Sequence, residues 1–456
     1  MDIKTLVETQ RKYFLTLETK NIQNRIKTIQ AIKQWMIKHQ DEIMEALKKD
    51  LNKHETESYM AEIGLVLSEM NYQLKHIKKW SKNKSVWTPL AQFYGDSYET
   101  YEPYGVTLVM SPWNYPFMLS IEPAIGAIAA GNTVIIKPSA YAPHVSSVIK
   151  KMIDESCDQK YVAVVEGGRA ENTQLLEQRF DYIFFTGSVN VGKLVMEKAS
   201  RHLTPITLEL GGKSPCIVDD QHSLKLAAKR IAFGKFLNAG QTCVAPDYLF
   251  IRAELKDQFL VYMKEVIQEF FGDHPIEHPQ LVKIINQKHF QRLCHLLENQ
   301  EIVIGGNYDE TTLKIAPTVV DHVDGDNALM QEEIFGPLLP IMTYHDLNEV
   351  IQFINQREKP LAFYIFSHSK AIQQKLLKSC SFGGGCINDT IIHLATSELG
   401  FGGVGHSGMG SYHGKKSFET FSHTRSIVKK ATWIDLPFRY YPYNSFKEKM
   451  IRFFEK

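Results

Sequence analysis

The first ~75 residues repeat apolar positions with the period of an α-helix. Ile22, Ile26 and Ile29 recur at steps of four and three, and Ile43 and Leu47 continue the pattern. Lysines occupy positions between them, where a charge stays solvated. This segment is therefore predicted to form amphipathic helices that pack on a core through one face.

Beyond Tyr101, short β-branched runs alternate with helix-compatible segments. Near-continuous apolar runs are typical of strands that are buried on both faces of a parallel sheet. Strand and helix in alternation predict a doubly wound parallel sheet. The predicted strands are Val106–Met110, Thr133–Ile136, Tyr161–Val165, Tyr182–Phe185, Ile206–Leu210 and Cys216–Val218.

A second alternating series begins at Leu224 and continues to about Ile387. It contains a predicted helix at Leu224–Leu237, a strand at Tyr248–Ile251 and a long helix at Leu255–Phe271. The fold class is therefore predicted to be α/β, with a doubly wound parallel-sheet domain followed by a second α/β domain.

The charge balance excludes several classes of protein. Lys and Arg number 52 and Asp and Glu 51, so the chain lacks the basic excess with which nucleic-acid binders displace counterions. The longest apolar stretch, Phe117–Ala130, contains Glu122 and Pro123 and is too short to span a bilayer. The first residues lack the basic-then-apolar order of a signal peptide. We expect a cytoplasmic protein that binds small molecules and no nucleic acid.

The cysteine and histidine spacings predict no metal centre. The chain has six cysteines and 17 histidines but no C-x-x-C pair and no H-E-x-x-H motif. Widely spaced cysteines in a chain of this size are expected to be reduced core residues, with room for one reactive thiol. The six are Cys157, Cys216, Cys243, Cys294, Cys380 and Cys386.

Cys243 and Glu209 have surroundings that suit catalysis. Cys243 ends the polar, glycine-containing segment Asn238–Cys243, and an exposed turn there would present a nucleophile, whereas Cys216 lies in an apolar strand. Glu209 lies in an apolar run just before two glycines, so desolvation should raise its pKa towards that of a useful base. A buried ion pair or a capping role at the strand end remains the alternative for Glu209.

Two glycine-rich segments are candidates for phosphate binding. Gly403–Gly408 reads G-x-G-x-x-G, but no strand precedes it and no helix opens inside it, so we reject it as a dinucleotide fingerprint. Phe184–Gly192 places a tight turn between a strand and a helix, whose first amides are free to face a phosphate. Such a turn occurs in many α/β proteins, so by itself it does not establish a ligand.

Taken together, seven motifs in this order resemble the aldehyde dehydrogenase superfamily along nearly the whole chain. The short segment before Cys243 and the long extension after the last motif are most similar to class 3, which includes fatty and aromatic aldehyde dehydrogenases. The motifs are Pro112–Pro116, Lys137–Ser139, Phe185–Ser188 with Gly192, Glu209–Pro215, Gly240–Cys243, Glu332–Pro337 and Gly402–Gly408.

The resemblance implies a thiohemiacetal mechanism. The Cys243 thiolate would attack the aldehyde, and the Asn114 amide with the Cys243 backbone N–H would hold the oxyanion. Glu209 would activate the water that hydrolyses the thioacyl-enzyme to an acid. An apolar long-chain aliphatic, polyene or aromatic aldehyde is expected, with Tyr115, Phe233, Ile391 and Ile392 around it. A cysteine-dependent hydrolase or acyltransferase, or an enzyme that acylates coenzyme A, are the alternatives.

The resemblance also implies a nicotinamide cofactor, with NAD expected and NADP possible. Related enzymes commonly carry a glutamate three residues after the lysine, which repels a 2′-phosphate, but here that residue is Ala140. No arginine appears in this stretch to bind the phosphate instead. The implied cofactor residues are Lys137 and Glu333 for the riboses, Phe335 for the nicotinamide side, Gly187, Ser188 and Gly192 for the pyrophosphate, and Pro112, Trp113 and Leu210 alongside them.

The resemblance implies a homodimer, and the chain ends in an aromatic, basic tail at residues 436–456. Residues 446, 450, 453 and 454 are apolar and fall on one helical face among basic residues, as in an interfacial helix. Docking of this face on protein and peripheral contact with a membrane are both open. The predicted division is an NAD-binding domain at 1–80 and 103–210, a catalytic domain at 211–390, a bridging and oligomerisation element with loops at 81–102 and 391–435, and the tail at 436–456.

Overall fold

A computed structural model describes residues 2–455 of the protein. None of its helices combines the length and the apolar character that crossing a membrane requires, within the part of the chain described. The helices are α1 (Ile3–Leu15), α2 (Ile22–Lys38), α3 (Gln40–Leu51), α4 (Glu55–Ser58), α5 (Gly64–Trp80), α6 (Met118–Ala130), α7 (Pro143–Ser156), α8 (Arg169–Leu176), α9 (Val189–Ser200), α10 (Leu224–Phe236), α11 (Lys256–Phe271), α12 (Gln287–Leu296), α13 (Leu347–Asn355), α14 (Lys370–Ser379), α15 (Gly414–Thr420) and α16 (Ser445–Phe454).

The strands form two large sheets and two small ones. Every strand and helix whose bounds the sequence predicted is present, and no predicted end differs by more than one residue. The strands are β1 (Lys84–Val86), β2 (Gly95–Pro103), β3 (Val106–Met110), β4 (Thr133–Lys137), β5 (Val162–Val164), β6 (Tyr182–Thr186), β7 (Ile206–Glu209), β8 (Pro215–Val218), β9 (Tyr248–Arg252), β10 (Glu301–Ile304), β11 (Tyr308–Asp309), β12 (Lys314–Ile315), β13 (Thr318–Asp321), β14 (Leu338–Tyr344), β15 (Ala362–Phe366), β16 (Gly384–Ile387), β17 (Gly408–Met409) and β18 (Ser422–Lys430).

The first sheet has six strands in the order β17-β7-β6-β3-β4-β5. Its five long members are parallel, and β17 pairs antiparallel with β7 at the edge. The predicted helices of the N-terminal segment cover this sheet, with α1 on β3 and β4, α2 against α6 and α7, α3 against α7 and α5 against α6. Helix α6 is buried over its whole length, because neighbouring elements surround it on every side. The predicted doubly wound α/β architecture is confirmed.

The second sheet has seven strands in the order β10-β13-β14-β9-β8-β15-β16, and only β10 is antiparallel. The predicted strand at Cys216–Val218 belongs here, between β9 and β15, and not to the first sheet. A separate three-stranded antiparallel sheet, β1-β2-β18, joins the segment before the first sheet to the segment near the C-terminus.

A buried ion pair connects the N-terminal helices to the loop before α6. Lys53 Nζ lies 2.5 Å from Glu62 Oε1, and both side chains are fully buried. Glu62 also accepts hydrogen bonds from the backbone N–H groups of Phe117 and Met118 at 2.9 and 3.2 Å. Lys53 donates a second bond, of 3.0 Å, to the carbonyl oxygen of Asn114. The pair therefore positions the loop that carries a predicted catalytic residue.

We predict that Lys53→Met lowers the free energy of unfolding by about 3–5 kcal/mol, because it leaves the Glu62 carboxylate buried without its cation. Urea denaturation measures the loss. Lys49→Met is the matched control, since Lys49 pairs with Glu45 on the surface at 3.6 Å and should change stability by about 0.5 kcal/mol or less. Adding Glu62→Gln to Lys53→Met should restore part of the loss. Equal losses in the two single variants would contradict the prediction.

Candidate active site

Cys243 follows a tight turn at the end of α10. Asn238 and Ala239 have φ of 53° and 52°, and Gly240 has a φ of 72°. A side chain at Gly240 would lie 2.2 Å from the carbonyl oxygen of Gly336, so only glycine fits this turn. The predicted exposed turn is wrong, because Gln241, Thr242 and Val244 on either side of the cysteine are buried. The thiol is instead half-buried at the wall of a cavity.

The cavity beside Cys243 has a volume of about 180 Å³ and an almost entirely apolar lining. The four predicted substrate residues, Tyr115, Phe233, Ile391 and Ile392, all line it. Met60 and Leu65 from the N-terminal helices complete one side, and Phe401 and His413 complete another. An apolar chain in this cavity can therefore lie against the sulfur while its other contacts are with apolar side chains.

Asn114 is buried and makes three hydrogen bonds. Its backbone carbonyl oxygen accepts bonds from Lys53 Nζ and from Asn238 Nδ2, the latter at 2.8 Å. Its own Nδ2 donates to the carbonyl oxygen of Gln241 at 3.0 Å, two residues before the cysteine. An amide nitrogen carries two hydrogens, so one of them remains available for an oxyanion at Cys243.

Glu209 ends β7 in an apolar environment. Its side chain is 3% exposed, and neither carboxylate oxygen has a hydrogen-bond partner. The alternatives left open by the sequence, a buried ion pair or a capping bond, are therefore absent from this part of the described chain. Burial raises the pKa of Glu209 well above that of an ordinary glutamate. Such a carboxylate is a stronger base than an exposed one.

Burial also controls the protonation of Cys243. Loss of water raises the pKa of the thiol to about 12, and the carboxylates of Glu333 and Glu209 raise it further by repulsion. The sulfur is thus a neutral thiol in this state, and it must lose its proton before it can act as a nucleophile.

Two cavities lie on either side of the start of α9. One, of about 600 Å³, is lined by Lys137, Ser139 and Ala140 and by the ring of Phe185. The other, of about 900 Å³, is lined by Gly211, Lys213 and Glu333. Residues 191 and 194 of α9 face the first cavity and residues 189, 190 and 193 the second. The first amides of α9 lie between the two cavities, and a helix start of this kind can hold a phosphate.

The predicted ribose residues line different cavities, Lys137 the first and Glu333 the second. Lys137 Nζ donates to the carbonyl oxygens of Pro138 and Gly167 at 2.8 and 2.7 Å, and burial lowers its pKa. Glu333 lies against Gly211, and burial raises the pKa of its carboxyl to about 8, with repulsion from Asp247 adding to the effect.

The predicted pyrophosphate and nicotinamide residues pack around the same helix start. The Gly187 N–H donates to the carbonyl oxygen of Glu209 at 3.0 Å, and Ser188 is exposed just before α9. Gly192 lies so close to Leu210 that a side chain there would come within 2.8 Å of it. Trp113, which follows the half-buried Pro112, packs edge-on against Phe335 at 5.3 Å between ring centres.

The glycine loop that resembled a dinucleotide fingerprint supports the Glu209 strand. Gly408 pairs with Glu209 as part of β17, and the Ser407 carbonyl oxygen accepts from the Leu210 N–H at 3.1 Å. No helix follows until α15, so the rejection of the fingerprint is confirmed.

Sequence reasoning missed the residues that hold the site in place. Lys53 is one of the N-terminal lysines that the sequence predicts to be solvated, and no pattern singles out Glu62, yet both side chains are fully buried. Gln241 binds Asn238, Lys283 and Ile285 through its side chain, which connects the cysteine loop to the segment before α12. Arg169, at the start of α8, lines the Lys137 cavity although it is distant in sequence. No local pattern identifies these contacts.

The sequence matches the aldehyde dehydrogenase family over residues 1–427. It is 48% identical to 4,4'-diaponeurosporen-aldehyde dehydrogenase of Staphylococcus aureus (strain NCTC 8325 / PS 47), over 98% of this chain and 97% of that protein. It is 45% identical to the dimeric NADP-preferring aldehyde dehydrogenase of Rattus norvegicus, over 94% and 95%. The fold matches the substrate-bound state of AldH from Staphylococcus aureus with a TM-score of 0.98 at 47% identity, over 100% of both chains. The chain therefore belongs to the aldehyde dehydrogenase family.

Proposed function

We propose that this enzyme oxidises an apolar aldehyde to its carboxylic acid with a nicotinamide cofactor. One observation carries the proposal: an apolar cavity ends at the Cys243 thiol, and the carboxylate of Glu209, buried and without a partner, is close enough to raise the pKa of that thiol. Long-chain aliphatic, polyene and aromatic aldehydes suit the lining. The relative named for 4,4'-diaponeurosporen-aldehyde is consistent with this class.

Cys243 and Asn114 act in the first half of the proposed reaction. Deprotonated Cys243 adds to the aldehyde carbon, and the Asn114 amide with the Cys243 backbone N–H stabilises the oxyanion that forms. A nicotinamide cofactor, held by Lys137, Glu333 and Phe335, would take up the hydride that this carbon loses as the oxyanion collapses, and Cys243 would then carry a thioester.

Glu209 favours hydrolysis in the second half of the reaction. Its carboxylate takes a proton from water as the water attacks the thioester, which releases the acid and the thiol. Transfer to coenzyme A would not require this base. A cysteine hydrolase or acyltransferase would not require the two cavities beside the start of α9, so aldehyde oxidation accounts for more of the site.

We predict that Glu209→Gln reduces about one nicotinamide per site in a burst and then stalls, because the thioester forms but is not hydrolysed. Rapid mixing with a long-chain aldehyde, followed by reduced-nicotinamide absorbance, measures the burst. Because burial raises the Glu209 pKa, this carboxyl stays protonated, and cannot act as a base, at pH values where an ordinary carboxyl is ionised. The wild-type steady-state rate should therefore increase with pH above the ordinary carboxyl range. The variant should lose this dependence.

Cys243→Ala is the control for the same experiment. It should bind the cofactor normally and show neither burst nor turnover, because the covalent step needs the sulfur. Turnover above a few per cent of the wild-type rate would contradict the assignment of the nucleophile. A Glu209→Gln enzyme without a burst would place Glu209 at an earlier step, such as deprotonation of the thiol.

We propose NAD as the preferred cofactor, with NADP accepted. Lys137 and Glu333 would bind the two riboses, and the start of α9 with Gly187, Ser188 and Gly192 would face the pyrophosphate. Phe335 would border the nicotinamide, and Trp113, which follows Pro112, packs against its ring. Leu210 would support the start of α9 through its contact with Gly192. The cavity of Ala140 contains Lys137 and Arg169, two cations that would tolerate a 2′-phosphate.

We predict that Ala140→Glu raises the ratio of kcat/KM for NAD to that for NADP by about tenfold, because a carboxylate there repels the 2′-phosphate. Arg169→Ala is the comparison, and it should weaken NADP more than NAD. Steady-state kinetics with both cofactors measure the two ratios. An unchanged ratio in both variants would show that other residues select the cofactor.

We propose a homodimer in which the three-stranded sheet, β1-β2-β18, is the oligomerisation element. Strand β18 lies at the edge of that sheet and most of its side chains are exposed, so its free backbone groups can pair with another chain. We also propose the domain division expected from the sequence, in which residues 1–80 and 103–210 bind NAD and residues 211–390 carry the nucleophile. One relative is likewise named as dimeric.

We propose that the tail helix α16 contacts membranes. Half of its apolar face packs on protein. Met450 and Phe454 are half-buried, and Phe454 stacks on Phe438 at 5.4 Å between ring centres. Phe446 and Phe453 remain 69% and 72% exposed. Lys456 lies outside the described residues, but Lys447, Lys449 and Arg452 supply the positive charge that anionic lipids attract.

Truncation after Tyr443 is predicted to weaken binding to anionic vesicles and to lower activity on long-chain aldehydes held in vesicles. Short soluble aldehydes should be oxidised at nearly the wild-type rate, because the truncation leaves Cys243 and its cavity intact. Vesicle sedimentation at low and high salt measures the contact. Equal losses for every substrate, together with a lower melting temperature, would show that the helix serves the protein and not a membrane.

A further inference from the structure

Three potential metal ligands meet at one edge of the second sheet, away from Cys243. Strands β8 and β15 are parallel neighbours, so their C-terminal ends lie side by side. Asp220 and His222 follow β8 closely, and His368 follows β15. Asp220 and His368 are 148 positions apart in sequence. The spacings along the chain therefore hide a cluster that the fold assembles.

The distances within this cluster suit a small cation. Asp220 Oδ1 lies 3.2 Å from His368 Nδ1 and 3.7 Å from His222 Nδ1. The three ligand atoms all lie within 4.8 Å of one another. Zinc bonds to nitrogen and carboxylate oxygen of about 2.0–2.2 Å place tetrahedral ligands about 3.3–3.5 Å apart. Small rotations of the two rings would bring all three atoms to these distances.

The carboxylate is held in place before any ion binds. Asp220 Oδ1 accepts from the His222 backbone N–H at 3.0 Å, and Oδ2 accepts from the His368 backbone N–H at 2.6 Å. The imidazoles, by contrast, are 72% and 53% exposed, with 5.3 Å between the ring centres. Both rings lie beside the same oxygen, which leaves the remaining coordination positions open to water.

The neighbouring charges do not prevent a cation from binding. Arg230 lines the same cavity, which has a volume of about 180 Å³. Its guanidinium lies 3.4 Å from Asp389 and donates to the Asn388 carbonyl oxygen, so its charge is paired with a carboxylate other than Asp220. Asp219, the next acidic residue, is paired with Arg252 at 3.1 Å.

We propose that Asp220, His222 and His368 bind a divalent transition-metal ion of the zinc type. Two imidazoles and one carboxylate favour zinc, copper or nickel, whereas calcium and magnesium require more oxygen ligands. The ion joins the loop before α10 to the loop before α14. Because α10 ends at the Cys243 turn, the ion secures the far end of the helix that carries the nucleophile, and it stabilises the folded protein by mass action.

The test is calorimetric titration of full-length, chelator-treated protein with zinc chloride, in a Cys243→Ala background that removes the active-site thiol. We expect one equivalent to bind at this site. His222→Ala/His368→Ala should weaken that binding at least tenfold and abolish the zinc-dependent rise in melting temperature. The control, His295→Ala/His322→Ala, removes two exposed histidines that also lie beside carboxylates, and it should bind as the parent does.

Equal zinc affinity and stoichiometry in the two double variants would overturn the proposal. Melting temperatures without zinc show whether the double variant is folded. Asp220→Asn supplies a second test, because asparagine can still accept a backbone hydrogen bond but removes the ligand charge. It too should weaken zinc binding at least tenfold, and unchanged binding would refute the site.

Discussion

The geometry of the site depends on the buried ion pair of Lys53 and Glu62. Removing two charges from water is costly, and only good geometry with further hydrogen bonds compensates for it. Here those further bonds go to the Asn114 carbonyl oxygen and to the amides of Phe117 and Met118. The compensation therefore holds the Asn114 loop at a defined position. Asn114 and Asn238 in turn bind the cysteine loop, so one interaction aligns three distant segments.

The site itself contains three acidic groups that are poorly hydrated. Glu209, Glu333 and the Cys243 thiol share a poorly hydrated region, and burial raises the pKa of each. A fold selected for stability alone would pair or remove such groups. Their presence next to an apolar cavity supports the proposed chemistry, since a base without a partner can take a proton from water and a neutral thiol resists oxidation.

Backbone elements could be predicted closely because hydrophobic periodicity reflects burial directly. Strands such as β3 and β6 are buried on both faces, and their apolar runs show it. The site was less predictable. The sequence predicted an exposed turn at Cys243 because the segment is polar. In the structure, the side chains of Asn238 and Gln241 instead form hydrogen bonds with the backbone of the same turn. Polarity in the sequence therefore reported hydrogen bonding and not exposure.

The sequence by itself determined the α/β class, the order of the strands along the chain and the motifs that resemble aldehyde dehydrogenases, because each depends on residues that are near one another in the chain. Only the tertiary structure decided that Lys53 is buried, that Glu209 has no partner, and that Arg169 joins the cavity of Ala140. It alone brought Asp220 and His368 together. These properties depend on which distant segments meet and on how much water they exclude, and no local pattern of residues encodes either.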